Sequence, residues 1–242
     1  MIEPLELLFN KYNFEIENIK KVVTGTRYTA LLLNNGNIGV CANLGYQVKT
    51  GKNIYFKLDL KNFSHRIILN AYYNAFLNYS SKYKIGDIFE TINFHKFNNI
   101  MMIGLFKPIV EIFQKNSIPL KVFDYKKSDN ILTSMSKQKQ MLQEADAVIL
   151  TSTSIFNLTF LDIINEINDN CNIFMLGPSS IMAEEILQYR NIKMIFGSTF
   201  NKFDERILEI IENGGGTRKF LKLGQKRIVP KSFGRKTNEN IS

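Results

Sequence analysis

Five apolar runs recur between residues 99 and 216, each ending in small polar residues and each followed by a segment of helical period. They are IMMIGL (100–105), LKVFDY (120–125), AVILTSTS (147–154), NIFMLGPSS (172–180) and KMIFGSTF (193–200). The spacing predicts helices over 108–116, 136–144, 159–168, 180–189 and 202–212. Strands alternating with helices of this length predict right-handed crossovers and a parallel sheet. The runs are apolar almost throughout, as strands are when helices cover both faces of their sheet.

The first half has a different rhythm. Residues 1–18 predict an amphipathic helix. Lys21 to Leu33 and Ile38 to Leu44 read as two strands. Between them, Asn34-Asn35-Gly36-Asn37 carries the Asn-Gly pair favoured in tight hairpin turns. Residues 62–80 predict a helix with a polar stripe, Arg66, Asn70, Asn74 and Asn78, each four residues on. Asparagine is a poor helix former. The stripe is either a solvated face in an asparagine-rich chain, or a row of which one or two members face a cleft. A boundary near residue 95 divides the chain into a smaller α+β domain (1–95), a Rossmann-like ligand-binding domain (96–225) and a basic tail (226–242).

Composition narrows the class. Apolar residues make up 45% of the 242, ordinary for a globular protein. No apolar run nears the roughly 20 residues that span a bilayer. Glu3, Glu6, Glu15 and Glu17 in the first twenty residues are unlike a signal peptide, so no membrane association and a cytoplasmic location are the expectation. The formal charge of +9 is concentrated at one end: residues 217–242 hold eight basic side chains against Glu239 alone. A nearly neutral body argues against a nucleic-acid partner; such tails commonly stay solvated. Cys41 and Cys171 form no spacing motif and read as buried thiols.

In an open α/β sheet, ligands bind outside the carboxyl ends of the strands. Candidate site residues therefore fall at Gly104 and Phe106, Asp124, Thr153 and Asn157, and Gly177-Pro178-Ser179-Ser180. At the last of these, Ser179 or Ser180 is placed to cap the following helix, either as a plain cap or as part of an anion seat. Thr159 with Asp162 fits a capping box. The first loop lacks the G-x-G-x-x-G fingerprint, and no Walker lysine loop occurs, so no standard cofactor is indicated. His65, His95, Cys41 and Cys171 lie at no metal-ligand spacing. Acid–base work, if any, falls to Asp124, Tyr125 or the carboxylates between the domains. Gly214-Gly215-Gly216 is either a helix stop or a hinge.

Several short motifs resemble one family: Thr24-Gly25-Thr26-Arg27-Tyr28-Thr29-Ala30, Tyr73-Asn74-Ala75, Ile103-Gly104-Leu105-Phe106, Glu144-Ala145-Asp146-Ala147, Phe156-Asn157-Leu158-Thr159, Leu176-Gly177-Pro178-Ser179-Ser180, Phe196-Gly197 and Gly214-Gly215-Gly216-Thr217. Their order and spacing over about 15–220 resemble a domain family of unknown function nicknamed for heavy-metal chelation. The resemblance implies an enolase-N-terminal-like first domain, a Rossmann-like second domain and a pocket between them. Thr29, Asn74, Asn157, Gly177 and Ser179 would lie near that pocket. The shortage of His and Cys speaks against direct chelation by side chains. The expected ligand is a small anionic molecule or a metal already bound to an organic chelator. An enzyme acting on a small metabolite in the same cleft is the alternative. A homodimer fits the resemblance, but nothing in the sequence specifies an interface.

Overall fold

The computed structural model describes residues 1–51, 58–80, 82–125 and 129–231. The five runs form the parallel strands β5 (Ile100–Ile103), β6 (Lys121–Phe123), β7 (Ala147–Thr151), β8 (Asn172–Leu176) and β9 (Ile192–Phe200). Two further strands, β4 (Lys84–Ile85) and β10 (Gly224–Pro230), extend the sheet to seven, in the order β4-β10-β9-β8-β7-β5-β6. β10 runs antiparallel to β9 from Gly224↔Phe200 to Pro230↔Met194, and β4 pairs antiparallel with β10. Residues 226–230, read from composition as part of a solvated tail, are thus an interior strand; residues 232–242 lie outside the described residues.

Alternation along the strands sends successive side chains to opposite faces. Met101, Ile103, Val148, Leu150, Ile173 and Met175 point into one apolar cluster, shared with α1 (Pro4–Tyr12), α2 (Phe63–Leu77), α5 (Gln138–Glu144) and α7 (Phe160–Glu166). Ile100, Met102, Ala147, Ile149 and Phe174 point into the other, against Val110 and Phe113 of α4 (Lys107–Lys115). The parallel sheet with helices on both faces is therefore the observed architecture.

A separate antiparallel sheet holds β1 (Ile19–Thr24), β2 (Tyr28–Leu33) and β3 (Ile38–Ala42). The Asn-Gly turn joins β2 to β3 as expected. Lys21 to Leu33, read as one strand, is itself a hairpin turning at Gly25-Thr26-Arg27, with Thr24 opposite Thr29. The turn is set by packing: a Cβ on Gly25 would fall 1.8 Å from the carbonyl oxygen of Ile211, so only glycine lets the hairpin close on α9 (Arg206–Glu212).

α2 lies under this small sheet and against the large one. Every residue from Arg66 to Ala75 is buried, as a helix enclosed on all sides must be. The first helix is shorter than the 1–18 expected, stopping where Asn13 takes φ 55°. α9 ends in a Schellman closure: Gly215 N–H donates to Ile210 O (2.7 Å) and Gly214 N–H to Ile211 O (2.9 Å). The glycine triplet is a helix stop. No described helix is long and apolar enough to cross a membrane.

Candidate functional site

β5 has β6 on one side and β7 on the other, so the chain leaves the first parallel strand in one direction and returns in the other. This is a topological switch point, where open α/β sheets form their ligand crevice. A cavity of about 420 Å³ opens there. Its floor comes from three strand ends: Gly104 and Phe106 after β5, Asp124 and Tyr125 after β6, Thr151 and Thr153 after β7. Tyr28, Ala42 and Leu44 from the small sheet form the opposing wall. Met135, Gln138, Thr159 and Asp162 complete the rim.

Local geometry explains these residue types. Gly104 sits at φ +91°, and a Cβ there would meet Cβ of Thr151 at 2.7 Å. The turn after β5 therefore brings bare backbone up to β7. Its N–H donates to Phe123 O (2.8 Å), which ties the β5 and β6 ends together. The next amide, Leu105 N–H, donates to Oδ2 of Asp124 (2.8 Å) and fixes that carboxylate at the cavity. Thr151 and Thr153 pair through their hydroxyls (3.0 Å).

Asn157 also lines the cavity, but the capping arrangement differs from the one expected. Thr159 makes no side-chain cap on α7. Instead Oδ1 of Asn157 accepts from both the N–H (3.1 Å) and the hydroxyl (2.7 Å) of Thr159. Asn157 follows α6 (Thr153–Phe156) directly, and its side chain closes the turn into α7.

Of the other expected site residues, Thr29 is buried within the small sheet, and Asn74, Ser179 and Ser180 are buried where the two sheets meet. Thr29 donates to Oδ1 of Asn43 (2.8 Å). Nδ2 of Asn74 donates to Pro178 O (3.0 Å) and Ser180 O (2.8 Å), while its Oδ1 accepts from Val40 N–H (3.2 Å). Ser179 Oγ accepts from Ala42 N–H (3.0 Å). Ser180 Oγ donates to Phe196 O (2.7 Å). Neither serine caps a helix: α8 spans only Glu184–Leu187, and its cap position is Ala183 with no side-chain bond. The anion seat expected there is absent: Ser180 N–H closes a turn on Gly177 O, and no helix starts until Glu184.

The polar stripe of α2 is what that segment meets. Asn70 donates to Ser179 O (2.9 Å), and Asn78 donates to Ser180 O (2.8 Å) and accepts from Met182 N–H (2.7 Å). Arg66 donates to Phe156 O and Ile155 O (2.5 and 2.7 Å) and pairs with Glu3 (2.6 Å). The stripe is not solvated. It satisfies backbone groups that would otherwise be buried without partners.

Gly177 and Pro178 line a second cavity of about 150 Å³, with Gly197, Leu221, Lys226 and Arg227. Phe106 separates the two spaces: its ring lies 3.6 Å from where a Gly177 Cβ would stand. Of the expected residues, Gly104, Phe106, Asp124, Thr153 and Asn157 share the larger cavity. Tyr28, Ala42, Leu44, Met135 and Gln138 were not foreseen. Only the docking of the small sheet brings the first three there; Tyr28 lies within the Thr24–Ala30 motif, while no local motif marks Ala42 or Leu44.

Electrostatics limit what the site can hold. Burial pushes the Tyr28 hydroxyl up to about 12, with Cys41 adding to the rise and Arg27 opposing it. Tyr28 is a neutral phenol at physiological pH. Burial likewise raises Cys171 to about 12 and Cys41 further still. Metal ligation by cysteine requires thiolate, which burial disfavours at both positions, and neither cysteine lines the larger cavity. Among the described residues no group of three or more His, Cys, Asp and Glu is placed to hold a metal ion.

A mixed sheet of this order, with a cavity at its switch point and a second small sheet closing over it, defines a Rossmann-like α/β protein. The chain belongs to the DUF364 family, whose model, described as "Putative heavy-metal chelation", matches residues 87–230. Two solved structures share the fold. A DUF364 protein of unknown function from Pyrococcus horikoshii is 21% identical, with TM-score 0.74, over 93% of this chain and 96% of that one. One from Desulfitobacterium hafniense DCB-2 is 17% identical, with TM-score 0.73, over 94% of this chain and 97% of that one. No curated protein matches the sequence.

Proposed function

We propose that the switch-point cavity binds a small organic molecule, and that heavy metal reaches it already held by an organic chelator. The observation that carries this reading is the cavity itself, bounded by the ends of β5, β6 and β7 and walled by the small sheet. Its described lining holds the carboxyls of Asp124 and Asp162 and no Lys or Arg. Among the described lining residues a free polyanion would find no counter-charge to offset its desolvation. A chelate, whose metal offsets the chelator's charge, meets no such barrier. The protonated thiols and the lack of a ligand cluster among the described residues favour a pre-formed complex over a bare ion.

Isothermal titration of tag-free protein with Ni²⁺, with citrate, and with the Ni²⁺–bis(histidine) complex tests this. The complex is expected to bind, and Thr153→Trp, which fills the cavity floor, is expected to remove binding. Binding of Ni²⁺ alone, or binding that survives Thr153→Trp, would refute it. A second reading is turnover of a small metabolite, and the Asp124 carboxylate in the cavity favours it. It requires that Asp124→Asn stop a reaction on the bound molecule.

A further inference from the structure

We infer that the organic ligand of the larger cavity is a ribonucleoside without phosphates, bound through its ribose diol at Asp124. This rests on the reading of the cavity as a small-molecule site and names a metal-free ligand that would compete with the chelate for the same space.

In Rossmann-like sheets, an acidic side chain about 20 residues beyond the first glycine of the first βα turn accepts hydrogen bonds from the ribose hydroxyls. Asp124 stands in that place. It follows β6, the neighbour of β5, and lies 20 positions after Gly104, which ends β5. Its Oδ2 is pinned by Leu105 N–H, so the carboxylate is held at the cavity floor before any ligand arrives. A carboxylate in a cavity that also holds paired threonine hydroxyls suits a neutral diol that donates hydrogen bonds.

The same turn closes the seat that a diphosphate would use. The second glycine of the fingerprint, which lets backbone approach the pyrophosphate, is here Phe106. Pro108 removes one amide from the first turn of α4. The amides of Ile109 and Val110 donate to Phe106 O (2.9 and 3.1 Å), and that of Leu105 is taken by Asp124. The helix end has few N–H groups left to hold an anion.

The walls suit a planar base. Phe106 and Tyr28 line the cavity, and Tyr125, 86% exposed, stands beside Asp124 at its mouth. Aromatic faces stack on any nucleobase. A volume of about 420 Å³ lies within the range of pockets for ligands of this size.

The test is calorimetric or NMR titration of the full chain with adenosine, guanosine, cytidine and uridine. At least one is expected to bind with Kd below about 1 mM. Removing both ribose hydroxyls, as the 2′,3′-dideoxy form, is expected to weaken it at least about tenfold. Its 5′-diphosphate is expected to bind no tighter than the nucleoside. Asp124→Asn keeps an oxygen acceptor for Leu105 and so the local fold, which a thermal melt checks; it is expected to lose at least about tenfold in affinity. The inference is overturned if none of the four binds, if the dideoxy form binds equally, or if the diphosphate binds tenfold better. If nucleosides fail while the Ni²⁺–bis(histidine) complex binds and Thr153→Trp removes it, only the nucleoside assignment falls. If neither binds, the cavity reading falls with it.

Discussion

The side-chain amide of Asn74 holds the backbone of Ser180: its Nδ2 donates to Ser180 O at 2.8 Å and to Pro178 O at 3.0 Å, while its Oδ1 accepts from Val40 N–H. One buried asparagine thus joins α2, the small sheet and the loop after β8. Asn74→Ala leaves Pro178 O and Val40 N–H unpartnered in the interior, while Ser180 O keeps its bond from Asn78. It is expected to cost about 2–4 kcal/mol in chemical denaturation, with faster hydrogen exchange at Val40. An unchanged midpoint would show that water replaces the amide.

Gly104 serves the cavity through backbone conformation. With φ +91° and no room for a Cβ beside Thr151, Gly104→Ala is expected to destabilise the fold by about 1–3 kcal/mol and to weaken ligand binding more than Gly45→Ala. Gly45 is also at positive φ but has open space around it. Comparing the two melts separates backbone strain from the clash.

Both thiols are expected to be inert in the native protein. Burial raises Cys171 to about 12 and Cys41 above it, so at pH 8 almost no thiolate is present. A thiol-reactive chromogenic disulfide should label neither residue on the minute scale and both in guanidinium. Rapid native labelling would return the cysteines to the set of metal ligands.

Stability should fall with acid through Glu185. Burial lifts this carboxyl, but hydrogen bonds from Lys11 and Tyr12 outweigh it and hold the group below its ordinary value of 4.5. A depressed carboxyl stabilises the fold above the unfolded value, and that contribution is lost as pH drops through the folded one. Glu185→Gln is expected to lower Tm at neutral pH and to flatten the acid limb below about pH 4.5. Glu3 acts with the opposite sign, since burial raises it in spite of Arg66; the difference between wild type and variant isolates Glu185.

How much was legible follows from how far each feature depends on distant chain. β5 to β9 and the Asn-Gly hairpin could be read because burial on two faces and a positive-φ turn leave local patterns. Gly104 and Asp124 could be placed at strand ends for the same reason. β10 could not: GQKRIVP is charged and ends in proline, and it becomes a strand only because β9 offers an open edge. Ser179 and Ser180 looked like caps, yet their backbone carbonyls are held by the Asn70, Asn74 and Asn78 stripe and no helix follows them directly.

By itself, the order of apolar runs and turn residues determined the strands, the helices between them and the end of the sheet at which the cavity opens, because period and burial are written residue by residue. The tertiary structure alone decided which of those ends share one hollow. It set Tyr28, Ala42 and Leu44 opposite Asp124 and committed Asn74, Ser179 and Ser180 to the seam instead. The reason is physical: a buried amide or hydroxyl takes whichever partner the packing brings within 3 Å or so, and here that partner lies more than a hundred residues away in the chain.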